Sequence, residues 1–211
     1  MRQDTLLLFD LDGTLWDSTQ QVAESWNFAL RASGLRAPLP VITAQDMRSV
    51  MGKPMDEIAR ALLPGLNDDD RNRVFQECED YEVDYVTTHS GVLYPDVEST
   101  LAVLKEKGYV MGVVSNCQIG YINAFYVSTG LGRYFSDMEE WGRTGKPKAE
   151  NIRLVMERNG FEKAWYIGDT KGDRDSAADA GIPFVFASYG FGSVSDPDAE
   201  IQRFAELTEM F

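Results

Sequence analysis

Histidine is nearly absent from this chain, which carries only His89, and cysteine is limited to Cys78 and Cys117, with no CxxC pair. The single imidazole excludes any mechanism that needs two and any His-rich metal site. Two cysteines build no disulfide framework. No apolar run approaches the roughly 18 residues of a membrane span. There is no internal repeat and no low-complexity linker. Basic residues are in deficit, with 20 Lys and Arg against 34 Asp and Glu, for a formal net charge of −14. A surface of that sign repels nucleic acid and anionic lipid, so neither is an expected partner, and no obligate protein partner is evident. The opening stretch passes from the apolar Leu6–Phe9 directly into acids. That is the pattern of a buried strand rather than an export signal, and the cytoplasm is the expected compartment.

Hydrophobic patterning is what the chain does supply. Thr5 to Phe9 is a continuous apolar run ending in acids and Gly13, which suits a strand buried on both faces. From Ser18 to about Val86 the pattern is helical. Ser18 with Gln21 reads as a capping box, Val22, Trp26 and Leu30 form one face, and Gly34 stops the helix. Thr43 with Asp46 starts a second helix. Pro54 suits the first position of a third, striped by Met55, Ile58 and Leu62. Val74, Cys78, Tyr81 and Tyr85 mark a fourth. Beyond Gly91 the pattern alternates: helix from Val97, strand Tyr109–Val114, helix Ile119–Thr129, a short strand within Phe135–Trp141, helix Ile152–Arg158, strand Ala164–Ile167, helix Asp173–Ala180, strand Pro183–Ala187. Such alternation predicts an α/β fold, a doubly wound parallel sheet with helices on both faces. The helical block is far longer than an ordinary loop and is expected to form a small all-helical domain inserted after the first strand. The expected division is residues 1–17 and 87–211 for the α/β core and 18–86 for the insert.

In open parallel sheets, ligands bind beyond the carboxyl ends of the strands. Three of the expected strands end in Asp10-Leu11-Asp12-Gly13-Thr14, in Ser115-Asn116, and in Gly168-Asp169-Thr170-Lys171-Gly172-Asp173, with Lys146-Pro147-Lys148 between the last two. Converging on one edge, they bring together several carboxylates, a hydroxyl and an ammonium. Clustered carboxylates repel one another and are costly to bury, so the cluster calls for a cation. Oxygen ligands without His or Cys point to Mg²⁺. Magnesium with a lysine attracts a dianionic phosphate, which makes phosphoryl chemistry the expectation.

These residues resemble the haloacid dehalogenase superfamily. Phe9-Asp10-Leu11-Asp12-Gly13-Thr14-Leu15 is similar to its first motif, Val113-Val114-Ser115-Asn116 to its second, Lys146 or Lys148 to its third, and Gly168-Asp169 with Asp173 to its fourth, in the family's order over nearly the whole chain. The resemblance implies a Rossmann-like core in which Asp10 attacks phosphorus to give an aspartyl phosphate. It implies that Asp12 protonates the leaving group and then deprotonates water, and that Ser115 and the lysine hold phosphoryl oxygens. Asp10, the Asp12 main-chain carbonyl and Asp169 would ligate Mg²⁺, with Asp173 supporting the metal shell. Lys146 precedes a proline, as is usual for the third motif, but Lys148 is favoured because Lys-Ala-Glu-Asn-Ile resembles one branch of the family. Leu11, Thr14 and Asn116 join the set as candidate phosphate contacts, Thr14 having a structural role as its alternative. Asp17 and Ser18 read as helix caps, His89 as a hinge or surface residue, and Cys117 as a packing residue.

The insert resembles the family's helical cap, and Leu93-Tyr94-Pro95-Asp96-Val97 resembles the cap exit of phosphoglycolate phosphatase-like members, with Asp96 where a glycine is usual. Lys53 is the candidate cap residue that reaches into the site. The second acid, Asp12, favours phosphate-ester cleavage. The expected activity is hydrolysis of a small phosphorylated metabolite. A phosphomutase of the β-phosphoglucomutase type is the alternative, disfavoured because Met51-Gly52-Lys53-Pro54-Met55 lacks that enzyme's arginine. A non-enzymatic receiver phosphorylated on aspartate, or an inactive adaptor, is the alternative of another class.

Overall fold

The computed structural model describes residues 3–35, 39–53 and 55–211. In chain order the elements are β1 (Thr5–Phe9), β2 (Trp16–Asp17), α1 (Thr19–Ala32), α2 (Ala44–Val50), α3 (Met55–Leu62), α4 (Asp68–Thr88), β3 (Val92–Leu93), α5 (Val97–Glu106), β4 (Val110–Ser115) and α6 (Tyr121–Thr129). They continue with β5 (Asp137–Glu140), α7 (Trp141–Thr144), α8 (Lys148–Asn159), β6 (Lys163–Gly168), α9 (Lys171–Ala180), β7 (Phe184–Ala187), β8 (Ala199–Ile201) and α10 (Leu207–Met210).

Six strands form one sheet in the order β5-β4-β1-β6-β7-β8, and every neighbouring pair is parallel. β1 lies at the centre because its side chains are apolar on both faces. Leu7 and Phe9 belong to one buried cluster and Leu6 and Leu8 to the other, as a two-residue repeat requires. The chain winds from β1 to β4 and β5 on one side, then crosses back to β6, β7 and β8 on the other. The switch point therefore falls at the carboxyl end of β1, the place where such sheets bind ligands.

The helical block is present, uninterrupted by any strand among the described residues. Thr43 and Asp46 form the reciprocal capping box at α2. Asn67 Oδ1 accepts from the Asp70 amide to start α4. Met55, Ile58 and Leu62 are buried, while Pro54 lies outside the described residues. The capping box expected at Ser18 is not formed. Asp17 Oδ1 instead accepts from the Thr19 amide (3.0 Å) and hydroxyl (2.6 Å), which frees the Ser18 hydroxyl for the site. Where the block joins the rest of the chain, β2 and β3 pair antiparallel, a two-rung link too short to show in the sequence.

β8 carries one buried residue, Ile201, and no apolar run announces it. β5 reads Asp-Met-Glu-Glu and is stabilised through its acids. Arg158 Nη1 donates to Glu139 at 2.6 Å, and the amides of Gly120 and Ile122 donate to Glu140 at 2.9 and 3.4 Å. Asp96 adopts φ 64° at the start of α5, a left-handed position that suits glycine and that Asp tolerates better than most residues. Among the described residues no helix is long and apolar enough to cross a membrane.

Candidate active site

β4, β1 and β6 are neighbours, so their carboxyl ends bring Ser115, Asp10 and Asp169 side by side. Asp10 is the residue after β1; its amide donates to Ile167 O at 2.8 Å, which extends the strand pairing by one residue. From the far side of the sheet, Lys148, the first residue of α8, sends its ammonium to Asp10 Oδ1 (2.8 Å) and Asp173 Oδ1 (2.5 Å). Asp10, Lys148, Asp169 and Asp173 are all 3% exposed or less. Lys146 lies elsewhere. Its side chain is about half exposed and 3.8 Å from Glu150, so of the two candidate lysines it is Lys148 that stands against the acids. Pro147 fixes the turn into α8, and the lysine inside the helix start points to the sheet.

One oxygen each from Asp10, Asp169 and Asp173 lies within 4.8 Å of the others. Three buried carboxylates face a single ammonium, a deficit of positive charge that a hard cation fits. The donor set is all oxygen, as Mg²⁺ prefers. The Asp12 carboxyl is not in this trio. Each acid is otherwise pinned. Asp169 Oδ2 accepts from the Phe191 amide at 2.7 Å, and Asp173 closes a capping box with Thr170 at the start of α9. Gly13 is required here, because it has φ 86° and a Cβ on it would fall 2.2 Å from Asp169 Oδ2. Thr14 is fully buried behind the site, its hydroxyl 3.5 Å from Asp169 Oδ1, so it supports the acid rather than facing the cleft. The Leu11 side chain is likewise in the core, and only its main chain can serve phosphate; its amide donates to Asp10.

Burial sets the acidities. It raises Asp10 to about 6 against the pull of Lys148, and the charge of Asp173 adds to the rise. Burial likewise pushes Asp169 well up, helped by Asp173 and Asp10. For Lys148, burial opposes the charge, but Asp10 and Asp173 outweigh it and hold the ammonium firmly protonated. Asp12 is raised to about 7, by burial first, while hydrogen bonds from Ser18 and Tyr121 pull the other way. Those bonds, 2.5 Å from Ser18 Oγ and 3.2 Å from Tyr121 OH, both end on Oδ1, which leaves Oδ2 without a protein donor among the described residues.

A cleft runs from Asp10, Asp12 and Ser115 to the helical block, where Trp26, Met47 and Glu82 line it. Lys53 lines it too, with an exposed side chain. The block touches the core around this cleft: Asn116 Nδ2 donates to Gly52 O at 3.3 Å, Gln118 Nε2 donates to Glu82 Oε1 at 2.9 Å, and Arg48 pairs with Asp17. The cavity there has a volume of about 40 Å³, room for roughly three water-sized groups. Four site residues lie outside the set expected from the sequence: Ser18, Tyr121, Glu82 and Tyr166. The last donates to Val114 O at 2.6 Å and lies 3.5 Å from Asp10 Oδ1. Ser18 stands next to the first motif, the one hint that was available.

Known proteins give the same picture. Residues 7–187 match the family model described as haloacid dehalogenase-like hydrolase. A phosphoglycolate phosphatase from Rhodobacter capsulatus is 34% identical, over 88% of this chain and 84% of its own length. One from Haemophilus influenzae is 29% identical over 97% of each. Among solved structures, a haloacid dehalogenase-like family hydrolase from Streptococcus pneumoniae superposes with a TM-score of 0.82 at 22% identity, covering 98% of this chain and 97% of its own, a likeness of fold. With the sheet order, the strand-end acids and the buried lysine already in place, the match over most of the sequence settles the family: the chain belongs to the haloacid dehalogenase-like hydrolases.

Proposed function

We propose that the chain is a magnesium-dependent phosphatase that hydrolyses a small phosphorylated metabolite through a phosphoryl group carried on Asp10. The observation that carries this reading is the Asp10–Lys148–Asp173 contact at the end of the central strand. It fixes a carboxylate oxygen beside an ammonium, with a second acid, Asp12, two residues away. In the first displacement an Asp10 oxygen bonds to phosphorus as the ester P–O bond breaks, and Asp12 gives its proton to the departing alkoxide. In the second, water loses a proton to Asp12 and its oxygen displaces the Asp10 carboxylate from phosphorus. An acid near 7 can serve in both directions at neutral pH. Lys148 and the Ser115 hydroxyl are positioned to take up charge on the phosphoryl oxygens, with Asn116 and the Leu11 main chain beside them. Asp10, Asp169, Asp173 and the Asp12 carbonyl would hold Mg²⁺, which supplies charge neutralisation and orientation of the phosphoryl group. Residues 18–86 would act as a cap that closes over this crevice and excludes water. The contacts of Gly52, Glu82 and Arg48 with Asn116, Gln118 and Asp17 of the core support that reading.

Asp12→Asn should lower kcat for alkyl phosphates by ~10²–10⁴, the range for loss of a general acid. The loss should be much smaller for para-nitrophenyl phosphate, whose leaving group departs without a proton. Equal losses for both esters, measured side by side, would leave Asp12 a structural residue.

Activity should disappear in EDTA and return with Mg²⁺, while Ca²⁺, with its larger and looser shell, should inhibit. Stability provides a second readout. Asp10, Asp12 and Glu82 all have pKa values raised in the folded state, to about 6, about 7 and about 7. Their contribution is therefore complete below the unfolded values of 3.8 and 4.5 and is lost as pH rises through about 7. In EDTA the Tm should fall across that window, and Mg²⁺ should restore it at the alkaline end but have little effect at the acid end. A metal-free Tm that rises with pH across the window would contradict these acidities.

A further inference from the structure

On the side supplied by α1 to α4, the cleft wall is made of valine, isoleucine, methionine and tryptophan side chains, with two charged exceptions, Glu82 and Lys53. The two are not equivalent. Glu82 is 5% exposed and sits among buried neighbours, whereas Lys53 is exposed and its charge is screened by solvent. Among the described residues the partners of Glu82 are neutral: Trp26 Nε1 donates to Oε2, and Gln118 Nε2 donates to Oε1 at 2.9 Å. Each carboxylate oxygen has about two acceptor positions, so one remains on each. Burying a carboxylate without a cation is costly. An aliphatic or amide side chain would hold α1 and α4 together without that cost, so the acid calls for a use on the cleft side. A leaving group with its own carboxylate, placed against Glu82, would bring two acids together in a poorly screened space, where both could not stay ionised without repelling. A hydroxyl or ammonium there would find an acceptor already held in place by two bonds.

We propose, resting on the phosphatase reading above, that Glu82 determines specificity: the ester this chain hydrolyses has a leaving group that carries a hydrogen-bond donor, hydroxyl or ammonium, and no carboxylate. 2-Phosphoglycolate, the ester that gives the curated relatives their name, is on this account a poor substrate. Lys53 marks the rim of the cleft and does not supply a carboxylate site.

The test compares three esters of nearly equal size, 2-phosphoglycolate, 2-hydroxyethyl phosphate and O-phosphoethanolamine, with para-nitrophenyl phosphate as a reporter of the chemistry. The wild-type protein with Mg²⁺ should show kcat/KM for the hydroxyl or ammonium ester about tenfold or more above that for 2-phosphoglycolate, the scale set by one unpaired polar contact in a binding site. Glu82→Gln should shrink that ratio by about tenfold. A wild-type preference for 2-phosphoglycolate overturns the proposal, above all if Lys53→Ala abolishes the preference and Glu82→Gln does not. An unchanged ratio in a folded Glu82→Gln protein overturns it too. The wild-type ranking decides the matter even if the variant does not fold. Absence of phosphate release from all four esters is a different result, because it removes the phosphatase reading itself.

Discussion

Asp10→Asn should reduce turnover by at least ~10⁴-fold, on the scale of losing a catalytic nucleophile, while the protein remains folded and stable. The amide keeps the shape of the carboxyl group but offers phosphorus no nucleophilic oxygen. Stability should hold because the native acid is not at ease. It is 2% exposed and its pKa is raised to about 6, chiefly by burial. Exchanging it for a neutral group removes one of three mutually repelling carboxylates, and Lys148 keeps Asp173 as its partner at 2.5 Å. Thermal unfolding and steady-state kinetics on the same preparation check both halves. Substantial turnover in a folded, sequence-verified variant would end the covalent scheme.

Lys148→Ala should damage both stability and activity, which separates it from Asp10→Asn. Removing one partner from a buried ion pair typically costs ~3–5 kcal/mol, and here the ammonium serves two carboxylates at once. Loss of a cation aimed at the phosphoryl oxygens should lower kcat by a further ~10²–10³ or more. Lys146→Ala should change stability by less than about 0.5 kcal/mol, as for other exposed positions, and leave kcat near the wild-type value. Urea unfolding and kinetics of the two variants in parallel decide which lysine belongs to the site. The opposite pattern would mean that the placement of α8 is wrong.

The two lysines also show how far the sequence could be read. Lys146 and Lys148 differ by two positions on either side of a proline, and both spacing and composition permit either. What separates them is that Lys148 is the first residue of α8 and Lys146 lies in the turn before it. The acids were legible because each ends a strand whose apolar run stands out: Leu6–Phe9 before Asp10, and the stretch ending at Ile167 before Asp169. β5 was only loosely placed because acids fill it, and their burial depends on Arg158 and the α6 amides. Ser18 reads as a cap because its neighbours fit that pattern. Its actual partners, Asp12 and Tyr121, are 6 and 103 residues away, and no local periodicity reports a contact of the second kind. Glu82 was hidden for a related reason. On a helix rich in acids, most of them at the surface, the carboxylate that turns inward towards Trp26 looks like the rest.

The covalent role of Asp10 is tested most directly by the stereochemical course at phosphorus. An ester made chiral at phosphorus with sulfur and oxygen isotopes would be hydrolysed in isotopically labelled water, and the configuration of the released thiophosphate determined. Two in-line displacements, first onto Asp10 and then to water, predict overall retention. Inversion would mean that water attacks the ester in a single step, leaving Asp10 to orient the substrate or hold a cation but never to carry the phosphoryl group.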